Sequence, residues 1–264
     1  MAVYLKAAVS ALPGAGRLPF VAGGGGPLPD VELEEQGVRA EPDRVADYAR
    51  VCGFRLRDEL PPTYPHVLAF PLHMRLMTDG SFPFSPVGLV HIENRIDVRR
   101  PLRLGEPIDL RVRARSVEER TFAIVTEAWV EGELAWEEES TMLRRGGGRL
   151  PRRHDDVEGA FVARWHLPDD LVRRYASVSG DRNPIHMHPL TAKAFGFPRA
   201  IAHGMWTKAR CLAALEPSLP DSYEVDVEFR KPILLPAKVD FEQTGPQFRV
   251  RSGASFHLSG RFRE

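Results

Sequence analysis

The amino-acid sequence predicts an α+β fold made of two similar halves, each with a helix packed on an antiparallel sheet. A short pattern occurs twice, over 42–53 and over 168–180: Pro-Asp, then Tyr-Ala-x-Val, then a glycine two positions after the valine. Several strand-like segments follow each copy. A Gly- and Arg-rich segment over 144–154 lacks an apolar period and separates the copies. We therefore predict a tandem duplication of one structural unit.

Each copy of the pattern predicts a short amphipathic helix. The proline suits a first helical turn, and the aspartate beside it favours the positive end of the helix. In the second copy Leu171, Tyr175 and Val178 recur at positions i, i+4 and i+7, so they share one face. The glycine that follows favours the end of the helix.

Strands are predicted from segments in which apolar and polar residues alternate, as Val225, Val227 and Phe229 do with the acidic residues between them. The predicted domains are an N-terminal unit over 1–145 and a C-terminal unit over 161–264, with a linker over 146–160. The predicted strands span 89–98, 108–114, 121–130 and 134–143 in the first half, and 223–230, 238–243, 248–251 and 254–262 in the second.

Composition limits the classes of function. Lys plus Arg and Asp plus Glu are 36 each among 264 residues, so the net charge is zero and no nucleic-acid partner is expected. No apolar run is long enough to predict a membrane span. The two cysteines form no CxxC, and the N-terminus lacks a charged region with a cleavage site. We therefore expect a cytoplasmic protein.

The segment after the second copy of the pattern carries side chains for acid–base chemistry. It contains Asp181, Asn183, Pro184 and His186, whereas the first half has neither the Asp-x-Asn-Pro sequence nor the histidine. Pro184 restricts the turn, and Asn183 can bond to local backbone groups. Asp181 and His186 can thereby converge on one target, as an acid–base pair.

A second segment supplies a way to stabilise negative charge. Ala202-His203-Gly204-Met205 leads into an apolar helix, where backbone N–H groups are free and a glycine allows an oxygen to approach. Such a donor can hold the carbonyl oxygen of a thioester as charge develops on it. An acid–base pair with this donor suffices to add or remove water across the α,β bond of a thioester.

These two segments together resemble the hydratase-2 motif of the MaoC-like dehydratases, a family that includes (R)-specific enoyl-CoA hydratases on the hot-dog fold. The step from His186 to Gly204 also resembles the family's spacing. The resemblance is strongest to the actinobacterial (R)-3-hydroxyacyl-thioester dehydratases with two hot-dog units. It implies a double hot-dog in which each half wraps its sheet around a central helix. The two halves would pair like a dimer of single hot-dogs.

The resemblance also implies roles. Asp181 and His186 would be the catalytic dyad, the Gly204 amide the oxyanion donor, and Asn183 the residue that orients the loop. In dehydration His186 would take the C2 proton and Asp181 would protonate the departing hydroxyl, with the reverse assignment left open. The first half would be degenerate, its long helix around 65–77 forming a wall of the acyl-chain tunnel, which favours medium to long chains.

Two basic residues flank these segments. Arg199 and Lys208 are expected to meet the phosphates of coenzyme A or of a carrier-protein arm, with plain surface charge as the alternative. The expected partner is an acyl thioester and possibly an acyl-carrier protein, and the expected assembly is a monomer or a homodimer.

No metal or nucleotide cofactor is expected. His186 and His188 have the spacing of a ligand pair, but no second cluster accompanies them. His203 is either a packing residue or a catalytic one. Three further histidines are expected to be structural: His66, His73 and His91.

Two other functions remain open at this stage. One is a hot-dog acyl thioesterase, against which the Asp-x-Asn-Pro-x-His sequence argues. The other is a non-catalytic subunit that binds acyl thioesters.

Overall fold

The computed structural model describes residues 26–84, 86, 89–118, 121–144 and 159–264. The helices are α1 (Pro42–Cys52), α2 (Tyr64–Met77), α3 (Leu171–Ser179), α4 (Pro184–Met187), α5 (Pro189–Ala194) and α6 (Gly204–Leu215), with a 3₁₀ turn at Glu216–Ser218. The strands of the first half are β1 (Glu32–Val38), β2 (Leu89–Val98), β3 (Ile108–Glu118), β4 (Thr121–Val130) and β5 (Glu133–Arg144). Those of the second half are β6 (Ala160–Leu167), β7 (Tyr223–Phe229), β8 (Ala237–Thr244), β9 (Gln247–Ser252) and β10 (Ser255–Arg263).

The ten strands form one antiparallel sheet with the order β1-β3-β4-β5-β2-β7-β10-β9-β8-β6. Strands β2 and β7 join the halves, with Asn94 paired with Val227 and Ile96 with Val225. Read outward from this junction, the two halves repeat the same order, so β2 corresponds to β7 and β1 to β6. The tandem duplication is therefore visible in the topology.

The helices also correspond in pairs. Helix α2 packs against β1, β3 and β4 of its own half, as the central helix of a hot-dog unit does, and α1 packs against α3. The rings of Tyr48 on α1 and Tyr175 on α3, the tyrosines of the repeated pattern, lie 6.1 Å apart and are both buried. This contact joins the two repeats at the centre of the molecule.

Both helices of the repeated pattern end as the sequence predicts. Gly53 and Gly180 have φ angles of 86° and 77°, and the N–H of each donates to the carbonyl of the alanine four residues earlier. A side chain at this left-handed geometry would be strained, so glycine is the residue that suits both positions.

All eight predicted strands are present, with small differences at their ends. The sequence analysis missed β1 and β6, which form the two edges of the sheet. These strands are mostly exposed, so burial does not impose an alternating apolar pattern on them. The predicted linker over 146–160 lies outside the described residues except for 159–160, and β6 begins at its last residue. None of the described helices is long and apolar enough to cross a membrane.

Candidate active site

The loop after α3 is shaped by hydrogen bonds from its own side chains. The N–H of Asp181 donates to Ser179 Oγ over 3.2 Å, and the N–H of Asn183 donates to Asp181 Oδ1 over 3.0 Å. Asn183 Oδ1 in turn accepts from the N–H of Ile185 over 3.3 Å, which caps helix α4. The structure therefore gives Asn183 the geometry of an orienting residue.

His186 lies on α4 with its ring buried. Its Nδ1 is 2.7 Å from the carbonyl oxygen of Ile201, which can only accept a hydrogen bond. Nδ1 therefore carries the proton, and in the neutral ring Nε2 has the free lone pair. This tautomer is the one that a general base needs.

His203 completes the cluster, and the sequence analysis left its role open. Its ring stacks on His186 with centroids 3.7 Å apart and contacts the ring of Tyr175 at 4.9 Å. Its Nε2 lies 3.1 Å from the main-chain oxygen of Asp181 and 3.8 Å from its Oδ2. His203 therefore holds both members of the expected dyad in place.

The surroundings set the charge state of the dyad. Burial alone would raise the pKa of the Asp181 carboxyl, but His203 and His186 beside it, together with the Asn183 amide, hold that pKa below its ordinary value. Burial lowers the pKa of His186, against the opposing effect of Asp181. At neutral pH Asp181 is therefore ionised and His186 neutral.

This charge state predicts the pH dependence of turnover. As pH falls through the lowered pKa of His186, the imidazole gains a proton and can no longer act as a base. We expect kcat/KM to be constant between about pH 7 and 9 and to fall on the acid side, with a midpoint below the ordinary histidine value of 6.5. A pH–rate profile with an acid midpoint above about pH 7 would contradict this assignment.

Gly204 begins α6, with His203 as the residue before it in extended geometry. The first N–H groups of a helix have no partner inside the helix, so the Gly204 amide is available to a ligand oxygen. A Cβ at this position would lie 3.1 Å from the ring of Phe229. A side chain here would therefore press on Phe229, and glycine leaves the amide open to an approaching oxygen.

The corresponding helix start in the first half differs in chemistry. Helix α2 begins Tyr64-Pro65, after Thr63 as its N-cap residue. The N–H of Tyr64, at the position of Gly204, already donates to the carbonyl oxygen of Pro61 over 2.7 Å, and proline has no N–H. The start of α2 therefore offers fewer free donors than the start of α6. With the absent Asp-x-Asn-Pro sequence, this supports one active site per chain, in the second half.

The dyad and Gly204 line one cavity, whose walls come from both halves of the chain. Its volume is about 210 Å³, whereas a single ordered water needs about 10–15 Å³ on a similar measure, so an organic ligand fits. Helix α2 lines it, in agreement with the position that the family resemblance implies for this helix. The apolar residues of the first-half wall include Phe70, Met74, Met77, Leu89, Ile124 and Met142.

The expected role of Lys208 in phosphate binding is wrong. Its side chain is fully buried, and Nζ donates to the backbone oxygens of Asn94 and Val225 and to Asn94 Oδ1. Burial lowers its pKa to about 7. Arg199 is exposed, as a phosphate contact must be. Lys231, which the sequence analysis overlooked, is exposed and also lines the cavity.

The remaining histidines have distinct places. His188 caps α5, where its Nδ1 accepts from the N–H of Leu190, as expected for a residue at a helix start. His66, His73 and His91 line the cavity instead of having a purely structural position. The sequence could not show this, since their neighbours in space come from distant strands.

Two groups of three potential metal ligands occur among the described residues, and each has its ligand atoms within 4.8 Å of one another. The sequence showed no such clusters because each draws on separate segments. Each histidine in them has a ring nitrogen that already has a hydrogen-bond partner. The absence of a metal cofactor stays a prediction. The groups are His66, His73 and Glu138, and Asp181, His186 and His203.

Comparison with known proteins agrees with this architecture. The family model described as MaoC like domain matches residues 153–249. The 3-hydroxyacyl-thioester dehydratase X of Mycobacterium tuberculosis is 37% identical over 243 residues, which cover 88% of this chain and 84% of that protein. The enoyl-CoA hydratase ChsH3 of the same organism is 28% identical over 73% of this chain and 72% of its own length.

Solved structures show the same relationship. The crystal structure of HtdX of Mycobacterium tuberculosis superposes with a TM-score of 0.79 and 35% sequence identity, covering 88% of this chain and 99% of that one. The predicted double hot-dog is thereby confirmed as the fold. The chain belongs to the family of MaoC-like dehydratases.

Proposed function

We propose that the protein catalyses the reversible hydration and dehydration between (R)-3-hydroxyacyl and trans-2-enoyl thioesters in fatty-acid metabolism. The observation that carries this proposal is the convergence of Asp181, His186 and the Gly204 amide on one cavity. The names of the related dehydratase and hydratase support the same reaction class.

In dehydration the substrate binds with its thioester oxygen at the Gly204 N–H. The lone pair on His186 Nε2 takes the C2 proton, and the electron pair of the C2–H bond moves toward the carbonyl, whose oxygen the amide stabilises. That pair then forms the C2–C3 double bond as the C3–O bond breaks. The hydroxide leaves with the proton from His186 as water.

The ionised state of Asp181 refines its part in this scheme. A carboxylate holds no proton to give at the start, so Asp181 accepts a hydrogen bond from the 3-hydroxyl and then from the water that forms. In hydration the same water lies between Asp181 and His186, and loses a proton to the imidazole as its oxygen attacks C3. The imidazolium then protonates C2.

The carrier is either coenzyme A or an acyl-carrier protein, and both bring phosphate to the mouth of the cavity. Arg199 and Lys231 are the exposed basic groups that we propose for this contact.

The thiols of Cys52 and Cys211 are free and buried, which supports a reducing compartment such as the cytoplasm.

An assay with a trans-2-enoyl-CoA distinguishes this function from that of a thioesterase. We expect the enoyl absorbance to disappear without release of free thiol. Thiol released in step with substrate loss would instead assign the chain to thioester hydrolysis. Absence of any turnover on both carriers would favour a binding subunit.

A further inference from the structure

A second polar cluster lies on the first-half wall of the cavity, apart from the Asp181 loop. Glu138 on β5 is completely buried. Its Oε2 lies 2.7 Å from Nδ1 of His66 on α2, and its Oε1 accepts from the amide of Asn94 on β2 over 2.7 Å. Buried charges persist in proteins only where such partners compensate them.

Lys208 completes this cluster from the second half. Its ammonium group donates to Oδ1 of Asn94, whose amide nitrogen donates to Glu138, so the asparagine connects cation and carboxylate. Burial alone would raise the pKa of Glu138, but His66, His73 and Asn94 hold it at about 2. The ionised carboxylate can only accept, and therefore Nδ1 of His66 carries a proton directed at it.

Because Nδ1 of His66 faces Glu138, Nε2 on the other side of the ring faces away from it. The ring lines the cavity and its side chain keeps 11% of its exposure, whereas Glu138 has none. Phe70, one turn further along α2, lies near Gly180, where a Cβ would be 3.6 Å from its ring. The ring of His66 also lies within electrostatic range of the Asp181 carboxyl. His66 is therefore close to the reacting end of the substrate.

The interior position of His66 places it beside the acyl chain. Lys231 is exposed and lines the cavity, so the side of Lys231 is the open side by which the proposed carrier would enter. Apolar residues of α2 follow His66 up to Met77, eleven residues or about 16 Å along the helix axis. His73, two turns further along α2, also lines the cavity, but its Nε2 is already bonded to Thr126. A chain that extends past the dyad along this helix thus meets His66 and then mainly apolar side chains.

We propose that His66, positioned by Glu138, binds a hydroxyl group carried by the acyl chain beyond C3. A hydroxyl can donate a hydrogen bond to a neutral imidazole or accept one from a charged imidazole, so it can bind His66 in either protonation state. A plain alkyl chain would remove water from His66 and return no hydrogen bond, which disfavours it. The inference rests on the proposed hydration reaction and specifies its substrate class.

The test compares substrates of equal length. Plain trans-2-octenoyl-CoA is assayed beside the same thioester with a hydroxyl at C5, C6 or C7. We expect at least one hydroxylated substrate to be preferred in kcat/KM by about tenfold or more, as one well-formed hydrogen bond to an imidazole allows. In His66→Phe the ratio is expected to fall to about one.

Control variants distinguish a failure of the proposed hydroxyl contact from a failure of the proposed reaction. His73→Phe on the same helix should keep the preference, since Nε2 of His73 already bonds to Thr126 over 2.7 Å. If His66→Phe does not fold, His66→Phe combined with Glu138→Gln, which removes the charge left buried at Glu138, should also lose the preference. Equal turnover of all substrates by the wild type would overturn this inference but not the hydration reaction, whereas no turnover of any would overturn the reaction itself. A preference that survives in a folded His66→Phe variant, alone or combined with Glu138→Gln, would overturn the role of His66.

Discussion

Asp181→Asn is expected to lower kcat/KM for a trans-2-enoyl-CoA by about 10³-fold. Asparagine has nearly the same size and still offers an oxygen to the N–H of Asn183, so the loop geometry is retained. It lacks the negative charge that orients the reacting water and stabilises the imidazolium of His186 when that ring gains a proton. The measurement is steady-state hydration, followed by loss of enoyl absorbance.

A matched control is available two residues before α3. Asp169→Asn makes the same chemical change at an exposed position and should keep wild-type kinetics. His186→Gln should lose activity to a similar extent as Asp181→Asn, since both groups hold one water. Retention of more than about a tenth of wild-type kcat/KM by a folded Asp181→Asn enzyme would contradict the assigned site.

Gly204→Pro tests the oxyanion donor, with Gly204→Ala as its matched control. Both variants add a Cβ that meets the ring of Phe229, but only proline removes the N–H. Proline is compatible with the first position of a helix, and His203 already has the extended backbone, with ψ of 135°, that a following proline favours. We expect kcat/KM of the proline variant to be about 10² to 10³ lower than that of the alanine variant.

The difference in kcat/KM between the two Gly204 variants measures the contribution of the Gly204 N–H. Alanine alone should cost some activity, because Phe229 must shift by a few tenths of an ångström. Circular dichroism and thermal unfolding of both variants show whether α6 is preserved. Equal kcat/KM for folded proline and alanine variants would mean that another group stabilises the thioester oxygen.

Much of the fold could be predicted because each copy of the repeated unit contains short sequence patterns typical of its helices and strands. The Pro-Asp and Tyr-Ala-x-Val pattern marks α1 and α3, and alternation marks the half-buried strands such as β7. The edge strands β1 and β6 were not predicted because exposed strands do not show this alternation. The Asp181 and His186 pair could be predicted because the two residues are five positions apart, in a segment shaped by hydrogen bonds from its own side chains.

The parts that the sequence analysis missed depend on contacts between distant segments. Lys208 lies on α6, which is apolar nearly all round, and this pattern predicts a fully buried helix. Asn94, to which Lys208 donates, comes from the other half of the chain. His66 and Glu138 are 72 positions apart. A clue exists in β5, because alternation puts Glu138 on the same buried face as Trp136 and Ser140.

The central claim is that one water, held between Asp181 and His186 on a single face of the substrate, adds across the double bond. The most direct measurement is hydration of a trans-2-enoyl-CoA in D₂O, with the product analysed by NMR. Because the water and the proton for C2 come from the same side, we predict deuterium at C2 and the hydroxyl at C3 in syn relation. Anti addition, or a mixture of the two C2 configurations, would contradict this account of the site.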